Sequence, residues 1–164
     1  MPENRREIGP YEYIEHFFKQ DALLVSMSKD ETPNVMALAW KTIGQLWGLP
    51  IITAAVAPSR YSFNLLSEGI QEFTINIPSA LITSAIMTTG SSSGRNMDKF
   101  KEAGLKIIEG KTTRVPTIEK CDLSYECKIV HSCKSGNMAR HHLFFGKILA
   151  AYASNNIKMV KMPL

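Results

Sequence analysis

Two short loops in this sequence carry the residue types that hold an anion. The first is PSRYS at residues 58–62, where Ser59, Arg60, Tyr61 and Ser62 open an amphipathic stretch that ends at Gly69. A serine cap, free amides at a helix start and a guanidinium can converge on a phosphate there. On this pattern alone the plain reading is a capped helix with a solvated arginine. The second loop, SSSGRNMDK at residues 91–99, is richer: Ser91, Ser92, Ser93, Gly94 and Arg95 run into another helix start. Hydroxyls and successive amides of that kind form anion-binding nests. Serine–glycine loops are also common connectors, so this pattern too has a bland reading.

Other chemistry is poorly supported. Cys121, Cys127 and Cys133 are evenly spaced, but on one extended strand neighbours six residues apart lie roughly 20 Å from each other. They cannot share an ion, and on an apolar face they read as small hydrophobes. His131 shares that face and reads as a core or interface histidine. His141 and His142 are adjacent, so on a strand they point opposite ways. No H-E-x-x-H, G-x-S-x-G or P-loop spacing occurs, so no zinc hydrolase, serine hydrolase or P-loop nucleotidase is indicated and no metal is expected. Any enzyme here draws its hard chemistry from a cofactor.

A third stretch asks a different question. TPNVMALAWKTIG, residues 32–44, alternates Met36, Leu38 and Trp40 with Ala37 and Ala39. Small side chains on one side of a strand admit either close protein packing or a flat ligand against the backbone. The residues themselves leave both open.

Several elements must position these groups. Residues 9–21 place Tyr11, Ile14, Phe17 and Phe18 at helical spacing after Pro10, which predicts a short helix within an N-terminal segment spanning 1–20. NRRE at residues 4–7 reads as a solvated cluster. Strands are predicted at ALLVSM, along residues 32–44, at GLPIITAAVAP (bounded by glycine and prolines and buried on both faces) and at QEFTINIP. Short helices are predicted from Ser59 to Gly69, from Ser79 to Gly90 and before Gly104. From Cys121 to Cys133 the alternation is strict, a long strand of period two. HLFFGKILAAYA is a second long strand, apolar on both faces, as expected where one side faces a barrel interior and the other a covering element or second subunit. The whole reads as one domain, 1–164, with a short tail at 155–164. It is mainly β, an antiparallel barrel closed or partly open, with short inserted helices.

Bulk composition agrees. The chain has 164 residues, 45% hydrophobic and 21% charged, with a formal charge of +4, which allows one core and excludes neither a small anion nor ordinary solubility. The basic excess is too diffuse to indicate nucleic acid. No apolar run approaches the ~20 residues of a membrane span. Three cysteines without a leader-like start suit reduced thiols and a cytoplasmic setting.

Six segments, in order, are similar to motifs of the flavin reductase-like, FMN-binding split-barrel family, which includes flavoredoxins: TPNVMALAWKT, PSRYS, FTINIPS, SGRNMDKFKEAGL, YECKIV and HHLFFGKIL. The similarity spans roughly residues 22–153. It implies a homodimeric Greek-key split barrel that binds FMN in preference to FAD. By this resemblance Met36, Ala37, Leu38, Ala39 and Trp40 lie along the isoalloxazine. Ser59, Arg60, Tyr61 and Ser62 meet the phosphate end. Asn76 and Pro78 border the ribityl chain or ring, and Ser91, Ser92, Ser93, Gly94 and Arg95 complete the phosphate contacts. His141 corresponds to a family histidine on the nicotinamide or substrate side. Ala37 and Ala39 stand where the family usually has hydroxyl-bearing residues, so ring binding is expected to rest on backbone. The activity implied is hydride transfer from NAD(P)H through flavin to a flavin or small acceptor. The alternatives are an electron carrier of flavoredoxin type, served by a redox partner protein, and a non-catalytic ligand-binding split barrel.

Overall fold

The structure, a computed structural model, describes residues 4–157. Its elements in chain order are β1 (Arg5–Ile8), α1 (Ile14–Phe17), β2 (Ala22–Met27), β3 (Pro33–Leu38), β4 (Lys41–Leu46), β5 (Leu49–Val56), α2 (Tyr61–Glu68), β6 (Glu72–Pro78), α3 (Ala85–Gly90), α4 (Lys99–Ala103), β7 (Ile107–Ile108), β8 (Thr117–Ile118), β9 (Cys121–Lys134) and β10 (His142–Ser154). The main sheet runs β3-β2-β6-β9-β10-β5-β4, antiparallel throughout, and β1 adds to β10. It curls into a split barrel. Ala55 N donates to the Trp40 carbonyl at 3.0 Å, which carries the β4–β5 pairing one residue past Lys41.

The two longest strands form the spine. Residues 142–147 of β10 pair with β5 and residues 151–154 with β1, while the other edge pairs with β9 almost throughout. Two register shifts bend this ladder, between Phe145 and Gly146 and between Ile148 and Ala150, as bulges do at barrel corners. Gly146 is required at the first: a Cβ there would lie 2.4 Å from the Phe73 ring.

β2 explains its own continuous apolar sequence. Ala22 and Leu24 join the barrel interior, whereas Leu23, Val25 and Met27 join a second cluster with Phe100 and Val115 under α3 and α4. A strand covered on both faces has no polar side to display.

The start of the chain departs from expectation. Arg5–Ile8 is a strand, not part of a helical segment, and the helix is only Ile14–Phe17; Asn4, Arg6 and Glu7 stay exposed while Arg5 turns inward. Of its spaced aromatics only Phe17 is buried; Phe18 is 56% exposed. The β10 edge beyond β5 offers unpaired backbone groups, and pairing with them outweighs local helix spacing for residues 5–8. The stretch 32–44 is two strands, broken at Ala39 and Trp40. Ser59 is not a cap: Arg60 occupies the N-cap position of α2, with no side-chain cap bond. The third helix starts at Ala85 rather than near Ser79, whose region forms turns. β9 is buried on both faces from Leu123 to Cys127 and largely exposed from Lys128 on, so His131 is a surface residue. The tail beyond residue 157 lies outside the described residues. No described helix is long and apolar enough to cross a membrane.

Two buried polar groups pin the loops to the barrel. Glu126, fully buried, accepts from Lys111 N at 2.8 Å, Thr112 N at 3.2 Å, Tyr152 Oη at 2.7 Å and the hydroxyls of Thr112 and Thr113. Asn76 donates to Leu23 O and Thr74 Oγ1, and accepts from Ile118 N and Ser124 Oγ. That uses its full hydrogen-bonding capacity.

Glu126→Gln turns one acceptor toward the loop amides into a donor. We expect a loss of about 2–4 kcal/mol in urea unfolding, since buried unsatisfied groups cost this much. A loss under about 1 kcal/mol would show that the 111–113 loop is held by other contacts.

Candidate functional site

The site grows from the carbonyl end of a helix. The last carbonyls of α3 have no intrahelical partner, and that end carries partial negative charge. Two cations use it: Lys99 Nζ donates to Thr89 O at 2.8 Å, and Arg60 Nη1 to Gly90 O at 3.4 Å. Lys99 is placed by its own helix. Asp98 caps α4, accepting from Phe100 N at 3.0 Å and Lys101 N at 3.2 Å, which fixes the first helical residue, Lys99, against α3. Arg60, extended at φ −78° and ψ 141°, precedes the first turn of α2. Ser91 and Ser92 return their hydroxyls to Thr88 O, and Arg95 lies over the Tyr61 ring at 5.2 Å.

Asn34 ties three segments together. Its Nδ2 donates to Ser62 Oγ at 3.1 Å. Its Oδ1 sits where a Cβ on Gly94 would fall, 1.9 Å from that ideal position. β3, the start of α2 and the serine loop therefore meet at one side chain, and Gly94 permits the approach.

The result is a pocket of about 250 Å³ lined by residues that include Met36, Ser59, Arg60, Tyr61, Ser62, Ser91, Ser92, Ser93, Arg95 and Lys99. Three cations line it and no carboxylate does. Lys99 is only 4% exposed. Burial, and then the neighbouring Arg60 charge, pull its pKa down to about 8. Two like charges held side by side without an acid form a place that an anion relieves.

The pocket continues into an open groove of about 810 Å³, floored by Ala37 and Ala39 and walled by Thr83, Ser84, Ile86 and Met87. Arg60, Gly90 and Ser91 belong to both spaces. The alanines serve two purposes. A Cβ on Gly90 would come 3.2 Å from Ala37 Cβ, so a small residue on β3 lets α3 pack closely. The same small residues leave the groove floor flat.

The other expected residues lie elsewhere. Leu38 points into the barrel core and is 1% exposed, and Trp40 is 66% exposed and lines neither space. Strand alternation causes the first, and the break after β3 the second. Asn76, fully buried, is spent on the core, and Pro78 is buried with its carbonyl accepting from Gln20 Nε2. Neither reaches the groove, because β6 is an interior strand flanked by β2 and β9. His141 precedes β10 and lines neither space. Its neighbour His142 packs between Phe63 and Phe144, at 5.3 and 5.2 Å between ring centroids. Among the described residues no group of three or more His, Cys, Asp or Glu is placed to hold a metal. Burial pushes the Cys121 and Cys127 thiols well up, which keeps them protonated.

Asn34 and Lys99 were not singled out from sequence. Lys99 had a local signal, since it directly follows the helix-capping Asp98. Asn34 had none, because its role depends on segments distant in sequence.

Comparison with known proteins agrees with this fold. The model of the Flavin reductase like domain matches residues 16–162. An uncharacterized protein of Archaeoglobus fulgidus is 29% identical over 136 residues, 83% of this chain and 73% of its own. Further curated relatives are matched over only 40% to 64% of their lengths. Among solved structures, the flavoredoxin of Desulfovibrio vulgaris (Miyazaki F) superposes with TM-score 0.71 at 27% identity, covering 82% of this chain and 69% of that one. An FMN-binding domain of a flavin reductases-like enzyme from Shewanella baltica superposes with TM-score 0.76 at 20% identity, covering 92% and 78%. It shares the fold.

Between about pH 8 and the ordinary lysine value of 10.5, the folded chain holds less of a proton at Lys99 than the unfolded chain does. The cost of the charged form is therefore complete below about pH 8 and is relieved as pH rises above it. Anion binding has the opposite dependence, because it needs the ammonium. Sulfate keeps its charge over this range. Its affinity, measured by calorimetric titration, should hold below about pH 7 and fall as pH passes about 8. Lys99→Met should weaken binding and flatten the profile. Equal sulfate affinity in the wild type on both sides of Lys99 titration would overturn this assignment.

Proposed function

The chain belongs to the flavin reductase-like family, and from that premise we propose that it binds FMN and works as an oxidoreductase. In this reading Arg60, Lys99 and Arg95 hold the phosphate and the Ala37–Ala39 floor takes the ring. The observation that carries it is one shared boundary: an acid-free cationic pocket meets, at Arg60, Gly90 and Ser91, a groove floored by Ala37 and Ala39 and bordered by Asp21, Thr83, Ser84, Ile86 and Met87. When bound, the flavin supplies the redox chemistry, taking a hydride equivalent and returning electrons to an acceptor. The chain's own part is placement. The cations fix one end of the cofactor, and the α3 wall and β3 backbone orient the ring and exclude water from one face. A terminal phosphate favours FMN over FAD.

The donor we propose is NAD(P)H and the acceptor a free flavin or small molecule. A second reading, an electron carrier served by a protein partner, is favoured by the 27% identity with a flavoredoxin. Anaerobic mixing with NADH or NADPH separates the two: bleaching of bound flavin supports the reductase, and its absence with both nucleotides supports the carrier.

Arg60→Ala should weaken FMN by roughly ten- to a hundredfold, the range of one charge-assisted contact. Riboflavin, which lacks phosphate, should bind wild type and variant alike. A variant that loses riboflavin as severely as FMN would show damage to the ring groove or the fold.

We further propose a homodimer. The outer sheet face carries Trp47, 64% exposed, whose ring lies 6.4 Å from His131 and 5.9 Å from Phe145, with Val130 and Leu149 also exposed. Such a patch marks an interaction surface. Sedimentation should give twice the chain mass, and Phe145→Glu should give the monomer. A wild-type monomer at all concentrations would remove the dimer.

A further inference from the structure

A second cavity, of about 520 Å³, lies between β1, the turns after β6 and the start of β9. None of its lining residues lines the pocket or the groove already described. Ser79, Ala80 and Leu81 face it, while Thr83, Ser84, Ile86 and Met87 of the same segment face the groove, so this segment is a common wall. The volume falls in the range of small-molecule sites.

Its distinctive group is Arg5. β1 carries the guanidinium over the Tyr152 ring, 4.2 Å from the centroid, and Nη1 donates to Thr117 Oγ1 at 2.9 Å. Nε is buried and has no partner. Burial lowers the pKa of Arg5 from its ordinary value, against the raising influence of Tyr152 and Glu126. A guanidinium has five N–H donors and no acceptor, and a desolvated cation needs an anion. The charge of Glu126 reaches Arg5, but neither nearby acid hydrogen-bonds the guanidinium. Glu126 accepts from the 111–113 loop and Tyr152, and Asp122 lies 3.0 Å from His16 Nε2. Among the described residues no carboxyl group pairs with Arg5.

The rest of the lining gives the ligand its character. Lys19, Lys120, Glu119 and Asp122 are among the charged lining residues, and Leu81, Ile118 and Ala153 among the aliphatic ones. The pocket at Arg60 has hydroxyls and a helix start, as a phosphate requires. Here the lining is mixed: Leu81, Ile118 and Ala153 stand beside Asp122, Glu119 and Ser124, which suits a singly charged group on a hydrophobic body rather than a compact multiply charged one.

We propose that this cavity binds a small organic monoanion, its carboxylate on Arg5 and its apolar or aromatic body against Leu81, Ile118 and Tyr152. The site is independent of flavin binding.

Benzoate, cinnamate and hexanoate, each compared with its neutral amide, are titrated into ¹⁵N-labelled protein. At least one acid should saturate, with shifts confined to residues 4–8, 79–81, 117–122 and 152–154, and bind at least about tenfold tighter than its amide. Arg5→Gln removes the charge and should weaken that acid by about tenfold or more. Leu81→Glu sets a carboxylate at the rim, on a residue 80% exposed and so without a core role, and should weaken it as well. Arg60→Gln should leave the affinity for that acid as in the wild type. Saturation at the Arg60 pocket, equal affinity for acid and amide, no saturation by any of the three acids, or wild-type affinity in Leu81→Glu would each overturn the proposal.

Discussion

The functional end of this molecule depends on two positive charges being held side by side with no acid between them. Arg60 and Lys99 come from different helices and meet because both donate to the last carbonyls of α3. Helix C-termini need donors and favour cations, so the arrangement is locally satisfied. It is not electrostatically satisfied. Lys99 is nearly inaccessible, and its pKa falls to about 8 through burial and the Arg60 charge. A fold selected only for stability would place a carboxylate here, since an unpaired buried charge is costly. The absence of one is the observation on which the proposed phosphate site rests.

β3 makes this arrangement possible. Its inward residues Val35 and Leu38 sit in two different cores, while Ala37 sits at the contact with Gly90. Replacing Ala37 by a larger residue would push α3 outward and take the Thr89 and Gly90 carbonyls with it. The small residues therefore set both the flat floor of the groove and, through α3, the position of the cations. Of the two readings of the alternating stretch at residues 32–44, close protein packing is seen at Ala37 against α3, and the proposed ring site rests on the surface beside it.

Legibility in the sequence followed the range of the interaction. Period-two alternation in β9, the buried run of β5 and the glycine ends of α2 and α4 are local patterns, and the elements were readable from them. The strand at Arg5–Ile8 was not, because its partner β10 lies almost the whole chain away. The loops around Arg60 and Ser91–Arg95 were recognisable from residue type, and the structure brings them together. Leu38 and Trp40 came to the site through the family resemblance; the Leu38 side chain faces the barrel core, Trp40 follows the strand break, and neither lines the pocket or the groove. Asn76 shows the limit most clearly. A polar residue in an apolar strand reads equally as a ligand contact or a core connector, and only the four partners around it decide.

Those partners also supply a physical criterion for separating structure from function. Glu126 and Asn76 are buried and saturated: their capacity is met within the chain, and they connect loops to the barrel. Arg60, Lys99 and Arg5 are at least partly buried cations whose charge is not met by a carboxylate in the described chain. Buried polar groups are ordinarily paired, so an unmet one needs a cause. At the first two the cause is adjacent, a pocket ringed by hydroxyls and opening onto a flat groove. At Arg5 the adjoining space mixes aliphatic residues with charged ones, and the anion proposed there differs accordingly. The two sites lie on either side of residues 79–87, and each is described by what its cations lack: a compact, multiply charged group beside α3, and a single charge on an apolar body beside β1.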